Sequence, residues 1–134
     1  MISLVGKYAY VKQENLVEFY KSLNVPEAFV DKLIPKINSL KEFKVDGYKV
    51  TITGNYEATY ILDKEVDETN EYNYTLKSIA KMEGNKLIVT SRTPEQPNTT
   101  LKRVYESNDR ELIITMSCQK TPVIAKYYYR RVLP

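Results

Sequence analysis

Tyr74-Thr75-Leu76-Lys77-Ser78-Ile79-Ala80, a break at Gly84-Asn85, and Lys86-Leu87-Ile88-Val89-Thr90 decide the fold class of this chain. Both runs carry the β-branched and aromatic residues that suit a pleated, half-buried surface, and Gly-Asn between them suits a tight hairpin reversal. The same punctuation recurs at Asp46-Gly47, Gly54-Asn55 and Asn108-Asp109. Between these turns lie further strand-like runs at Val50-Thr51-Ile52, at 57–62 and at Leu112-Ile113-Ile114-Thr115-Met116. With a first strand over residues 5–12, the chain has room for about ten antiparallel strands at short, regular spacing. A meander of hairpins closes most simply as an up-and-down barrel. The expected class is therefore all-β: a ten-stranded antiparallel up-and-down barrel, or β-clam, wide enough to enclose a ligand.

One segment breaks the strand rhythm. Asn15-Leu16-Val17-Glu18 has the form of a capping box, and Leu16, Phe19, Tyr20 and Leu23 then recur at helical spacing. Asn24-Val25 interrupts the run, and Pro26 reads as a first-turn proline opening a second helix. Phe29, Val30, Leu33 and Ile34 give that helix an apolar side until Pro35 stops it. The expectation is a helix-turn-helix lid between the first two strands.

Composition narrows the functions. At 134 residues the chain reads as one domain, 1–134, large enough to bury a core. A net charge of +3 with interspersed signs gives no strong push toward nucleic acid. The chain has no histidine, which removes imidazole zinc sites and Ser-His or Cys-His nucleophile pairs, and no glycine-rich phosphate loop. No enzyme activity, cofactor or metal is expected. The single cysteine, Cys118, cannot form an internal disulfide and fits a reducing, cytoplasmic setting.

The last strand, Pro122-Val123-Ile124-Ala125-Lys126-Tyr127-Tyr128-Tyr129-Arg130-Arg131, bears on the ligand. Alternation puts Ile124, Lys126 and Tyr128 on one side and Ala125, Tyr127 and Tyr129 on the other. With the first set inward, a cation and a phenol stand together in an apolar interior, which suits a carboxylate with an apolar tail. The run 112–118 supplies an apolar inward face of Leu112, Ile114, Met116 and Cys118. On the preceding strand both faces carry one cation, Arg103 or Lys102, so alternation alone leaves that register open, and a one-residue slip would turn either site to solvent.

Leu4-Val5-Gly6-Lys7-Tyr8, then Glu14-Asn15-Leu16 and Phe19-Tyr20-Lys21-Ser22-Leu23-Asn24-Val25, resemble the opening of the intracellular lipid-binding proteins, the cytosolic fatty-acid-binding and retinoid-binding proteins. The resemblance continues through Glu65-Val66-Asp67-Glu68, Lys77-Ser78 and Leu101-Lys102-Arg103 to the end of the chain. It implies a ten-stranded clam with a helical lid, carrying one long-chain lipid as a monomer. Such lids can make transient membrane contact, but here Lys21, Lys32 and Lys36 are balanced by Glu18, Glu27 and Asp31, which favours a solvated helix face.

In many such proteins an Arg-x-Tyr pair on the last strand and a further Arg two strands earlier hold the ligand carboxylate. The matching positions here are Lys126-x-Tyr128 and Arg103. A lysine lacks the planar fork of an arginine, so a looser or water-mediated head group is expected, with Arg103 taking the direct contact. Leu16, Tyr20, Phe29, Leu33, Tyr56, Ile114 and Met116 are expected around the tail or its entrance. The short hairpin Thr53-Gly54-Asn55-Tyr56 implies a wider mouth, with Tyr56 as a gating aromatic. Tyr72 and Tyr74 are expected to make the middle of the cavity more aromatic, admitting a ring-bearing lipid such as a retinoid or a bile-acid-like compound as the alternative cargo. Two rivals of other classes are a small nucleic-acid-binding barrel and a barrel with a filled interior.

Overall fold

The computed structural model describes residues 4–133. Ten strands and two short helices follow one another as β1 (Gly6–Glu14), α1 (Leu16–Ser22), α2 (Glu27–Leu33), β2 (Leu40–Asp46), β3 (Lys49–Thr53), β4 (Glu57–Ile61), β5 (Glu65–Thr69), β6 (Thr75–Glu83), β7 (Lys86–Thr93), β8 (Gln96–Ser107), β9 (Glu111–Cys118) and β10 (Thr121–Val132). Every paired strand is antiparallel, and β1 joins β10, so the sheet runs β4-β3-β2-β1-β10-β9-β8-β7-β6-β5. The two edge strands, β4 and β5, come alongside each other without a shared ladder. The result is the expected ten-stranded antiparallel barrel, closed at every seam but one.

Period-two alternation positions the core. Tyr8, Phe43, Val50, Tyr60, Leu87, Val89, Tyr105 and Leu112 are buried on the inner face and form one cluster at the floor. Phe43 sits edge-on to Tyr8 at 5.6 Å and to Tyr105 at 5.5 Å between centroids, tying β1 and β2 to β8 across the barrel. Edge-to-face geometry of this kind adds to simple area burial. A second cluster, Leu16, Phe19, Met116 and Ala125, fixes α1 on β9 and β10. The barrel is thus filled at one end and covered by helices at the other.

The lid forms as expected but starts differently. Asn15 is left-handed, at φ 59°, and makes no side-chain cap; its amide donates to the Ile124 carbonyl at 3.2 Å. The Gln13 side chain instead accepts the Leu16 N–H at 2.9 Å, so the cap comes from before the helix rather than from a capping box. Pro26 stands at the N-cap of α2, one place earlier than a first-turn proline. Lys21 and Glu27 face each other across the bend at 3.5 Å.

β10 corrects the expected register. Its inner residues are Ala125, Tyr127 and Tyr129, opposite Met116, Ile114 and Leu112 of β9. Lys126 and Tyr128 therefore belong to the outer face. There they lie opposite Glu14 and Lys12 of β1, beyond a register shift between Tyr10 and Lys12. The Tyr128 hydroxyl donates to Glu14 Oε1 at 3.0 Å, and Lys12 Nζ stands 5.0 Å from the Tyr128 ring. A cation and a phenol with polar neighbours outside have no reason to face the core.

Candidate functional site

Between the aromatic floor and the lid lies a cavity of about 220 Å³. Its wall mixes Leu76, Leu101, Ile114 and Met116 with the phenols of Tyr20, Tyr56, Tyr60, Tyr105, Tyr127 and Tyr129. Leu33 at the end of α2 and Pro35 beyond it, Gly54 and Asn55 of the β3–β4 hairpin, and Asn70 and Glu71 of the β5–β6 turn also border it. Tyr20 and Tyr127 link α1 to β10 through their hydroxyls at 3.2 Å.

Arg103 and Glu68 occupy the interior as an ion pair. Arg103 Nη1 donates to Glu68 Oε2 at 2.9 Å, and Nη2 to Oε1 at 2.6 Å, a two-pronged fork. The side chains are 11% and 2% exposed. Around them Tyr56 donates to Glu68 Oε2 at 2.6 Å, Ser78 to Oε1 at 2.9 Å, and Arg103 Nη2 also reaches Ser91 Oγ at 2.9 Å. The serines meet at 2.7 Å. Burial alone would raise the Glu68 carboxyl, but the Arg103 charge and the hydrogen bonds it receives outweigh that and hold it at about 2. Two buried polar atoms here, the Tyr60 hydroxyl and Arg103 Nε, have no well-aligned hydrogen-bond partner among the described residues.

Besides Lys32 of α2, exposed at the rim, a further cation reaches the cavity from β2. Lys41 of β2 shares the inward parity of Phe43 and lines the cavity, with Nζ 5.8 Å from the Tyr129 ring. No carboxylate lies within ion-pair distance of it among the described residues. Burial first, and the Arg103 charge second, lower its pKa to about 8, against the pull of Glu68 and Glu71.

Of the residues expected at the head group, the structure brings Arg103 to the cavity and leaves Lys126 and Tyr128 outside. Around the tail, Tyr20, Leu33, Tyr56, Ile114 and Met116 line the cavity. Tyr56 does so by turning inward to Glu68 rather than by gating the mouth. Leu16 is buried beneath the lid in the second cluster. Tyr72 and Tyr74 are exposed on the turn before β6, so they do not line the middle of the cavity. Tyr72 instead meets Phe29 of α2 at 5.0 Å between ring centroids, a contact at the rim. Tyr74 borders a separate cleft shared with Phe19, Leu23 and Arg92. The signal for Lys41 was available: Phe43 is the largest apolar residue of its strand, and its parity fixes that of Lys41.

No protein-family model matches the chain. The sequence is 31% identical over 118 residues to the liver fatty acid-binding protein 1 of Ambystoma mexicanum, covering 80% of this chain and 93% of that protein. It is 32% identical over 93 residues to fatty acid binding protein 1-B.1 of Danio rerio, covering 66% and 72% respectively. The fold superposes with a TM-score of 0.81 on the Schistosoma mansoni fatty acid binding protein in complex with arachidonic acid, at 21% identity over 96% of each chain.

Proposed function

This chain belongs to the intracellular lipid-binding protein family, the fatty-acid-binding proteins among them, and from that premise we propose that it carries one long-chain fatty acid inside its barrel. The named relatives are binding proteins, and the role proposed is carriage in the cytoplasm by a monomer, not catalysis. The observation that supports it above all is the cavity between floor and lid, lined by apolar and phenolic side chains and supplied with positive charge. Each buried methylene stabilises the complex by about 0.8 kcal/mol, so a sixteen-carbon tail contributes on the order of 12 kcal/mol gross. Association and ordering oppose this by several kcal/mol, leaving micromolar to nanomolar affinity. The tail sets affinity, and the charged groups set orientation and head-group choice.

Titration calorimetry with oleate tests the proposal, alongside solvent extraction of the purified protein and mass spectrometry of any lipid recovered. One-to-one binding with a Kd below about 10 µM is expected. Failure to bind oleate, together with an extract free of lipid, would refute it. Because Lys126 and Tyr128 lie on the outer face, Lys126→Ala and Tyr128→Phe should each leave oleate affinity within about twofold of wild type. A larger loss in either variant would return the head group to the last strand.

A second reading is favoured by the cavity's six phenols. They suit a ring-bearing carboxylated lipid, whose rigid ring system can lie flat against phenol faces with little loss of conformational freedom. Competition decides between the two. If a bile acid or a retinoic acid displaces oleate at equal or lower concentration, the ring-bearing lipid is the better cargo.

A further inference from the structure

We propose that Lys41, and not Arg103, receives the carboxylate of the carried lipid. This rests on the reading of the cavity as a site for a carboxylated lipid, and adds which side chain holds the head.

Arg103 is already spoken for. Its fork is closed on Glu68, and Glu68 in turn accepts from Tyr56 and Ser78, so the carboxylate position at that guanidinium is filled by the chain's own residue. A second carboxylate brought there would meet Glu68 as a like charge, in surroundings that screen it poorly. Displacing Glu68 would break hydrogen bonds from three side chains at once.

Lys41 has the opposite character. Its ammonium lines the same cavity, yet no described carboxylate is within ion-pair distance. Around the cavity the three cations Lys32, Lys41 and Arg103 exceed the two carboxylates Glu68 and Glu71 by one positive charge, which a monoanionic ligand balances. Gly54 stands beside the amine, where even an added Cβ would be in ordinary van der Waals contact with Nζ at 3.4 Å. Gly54 lies in the β3–β4 hairpin, and Lys41, the second residue of β2, borders the same cavity as Tyr20 of α1 and Leu33 of α2. A head group at Lys41 therefore sits under the lid, with Leu101, Ile114 and Met116 available to the tail. Charge-assisted hydrogen bonds to an ammonium are among the stronger polar contacts and discriminate a carboxylate from an alcohol.

Calorimetry with oleate and with oleyl alcohol, on wild type, Lys41→Met and Lys41→Arg, tests this. Lys41→Met removes a partly buried charge and leaves no partner orphaned, so it should fold. It should bind oleate about 10- to 100-fold more weakly while binding oleyl alcohol within about twofold of wild type. Lys41→Arg should keep most of the preference for the acid. A pH series adds an independent readout. The charged groups sharing the cavity with Lys41 are Lys32, Arg103, Glu68 and Glu71, and the neighbouring Tyr56 and Tyr129 phenols are pushed up by burial, so they stay protonated. Raising the pH from 7 to 9.5 takes the proton from free Lys41 and should weaken oleate binding by about tenfold in wild type, but not in Lys41→Arg. Wild-type oleate affinity in Lys41→Met would overturn the assignment and leave the carrier reading standing. Wild-type protein that binds neither lipid would sink both.

Discussion

Glu68→Gln lowers the free energy of unfolding by about 3–5 kcal/mol at pH 7, because it strands the Arg103 guanidinium in the barrel without its counter-charge. The fork between the two side chains is buried on both sides, and an uncompensated buried cation is among the costliest single defects. The pair itself need not be worth that much. The double variant Glu68→Gln/Arg103→Gln removes both charges and should recover most of the loss, to within about 2 kcal/mol of wild type. What it does not recover reflects Ser78, Ser91 and Tyr56, each left short of a hydrogen bond. Urea unfolding of the four proteins completes the cycle. A double variant no more stable than Glu68→Gln would mean that the stranded charge is not the cause.

The acid side gives a second measure of the same pair. Arg103 and the hydrogen bonds hold the Glu68 carboxyl at about 2 against an unfolded value of 4.5. A depressed carboxyl stabilises the folded state above its unfolded pKa. That stabilisation, about 3 kcal/mol, is lost as pH falls from about 4.5 toward 2. Wild type should therefore show this acid limb and Glu68→Gln should lack it. Parallel stability–pH curves would contradict the argument.

Much of this architecture is legible in the residues. Hairpin turns at Asp46-Gly47 and Gly84-Asn85 fall between paired strands, with both glycines in the left-handed region that the turns demand. The lid is legible because Leu16, Phe19 and Val30 repeat at helical spacing and are buried as a result. The register of β10 is not legible from that strand alone, because alternation along a single strand is symmetric: Lys126 with Tyr128, and Tyr127 with Tyr129, are equally regular. The hairpin breaks the symmetry. Cys118 pairs with Thr121 across a two-residue turn, and the irregularity between Thr121 and Ala125 shifts the register by two residues, so even-numbered residues of β9 still face odd-numbered residues of β10. An inward Ile114 and Met116 then force Tyr127 and Ala125 inward. The same reasoning across the 107–112 connection turns Arg103 in, where single-strand alternation left a choice. Its partner Glu68 is legible only as an acid that could reach the cavity, because an acid on a short edge strand looks like a solvated residue until the barrel curls β5 under β8.

Phe43→Ala should cost about 3–5 kcal/mol, a loss as large as that at Glu68 but of different origin. Phe43 is fully buried, and its ring bridges Tyr8 and Tyr105 from opposite sides of the floor. Removing it takes away the transfer energy of the ring and leaves a void that two stiff phenols cannot close. Tyr8 is fixed because its hydroxyl donates to the Leu4 carbonyl at 2.7 Å, and Arg131 covers its face at 4.9 Å. The urea midpoint should fall by about 2 M with an unchanged slope, and Tm by on the order of 10–20 °C. Oleate affinity of the folded variant should nevertheless change by less than about fivefold, because Phe43 does not line the ligand cavity. Stability and binding would then separate, with the aromatic floor holding the barrel together and the wall beneath the lid holding the lipid. A Phe43→Ala protein that kept its stability would show that the floor is not packed. One that kept its fold but lost oleate would show that the acyl chain reaches the floor, and that the cavity extends deeper than Tyr60 and Tyr105.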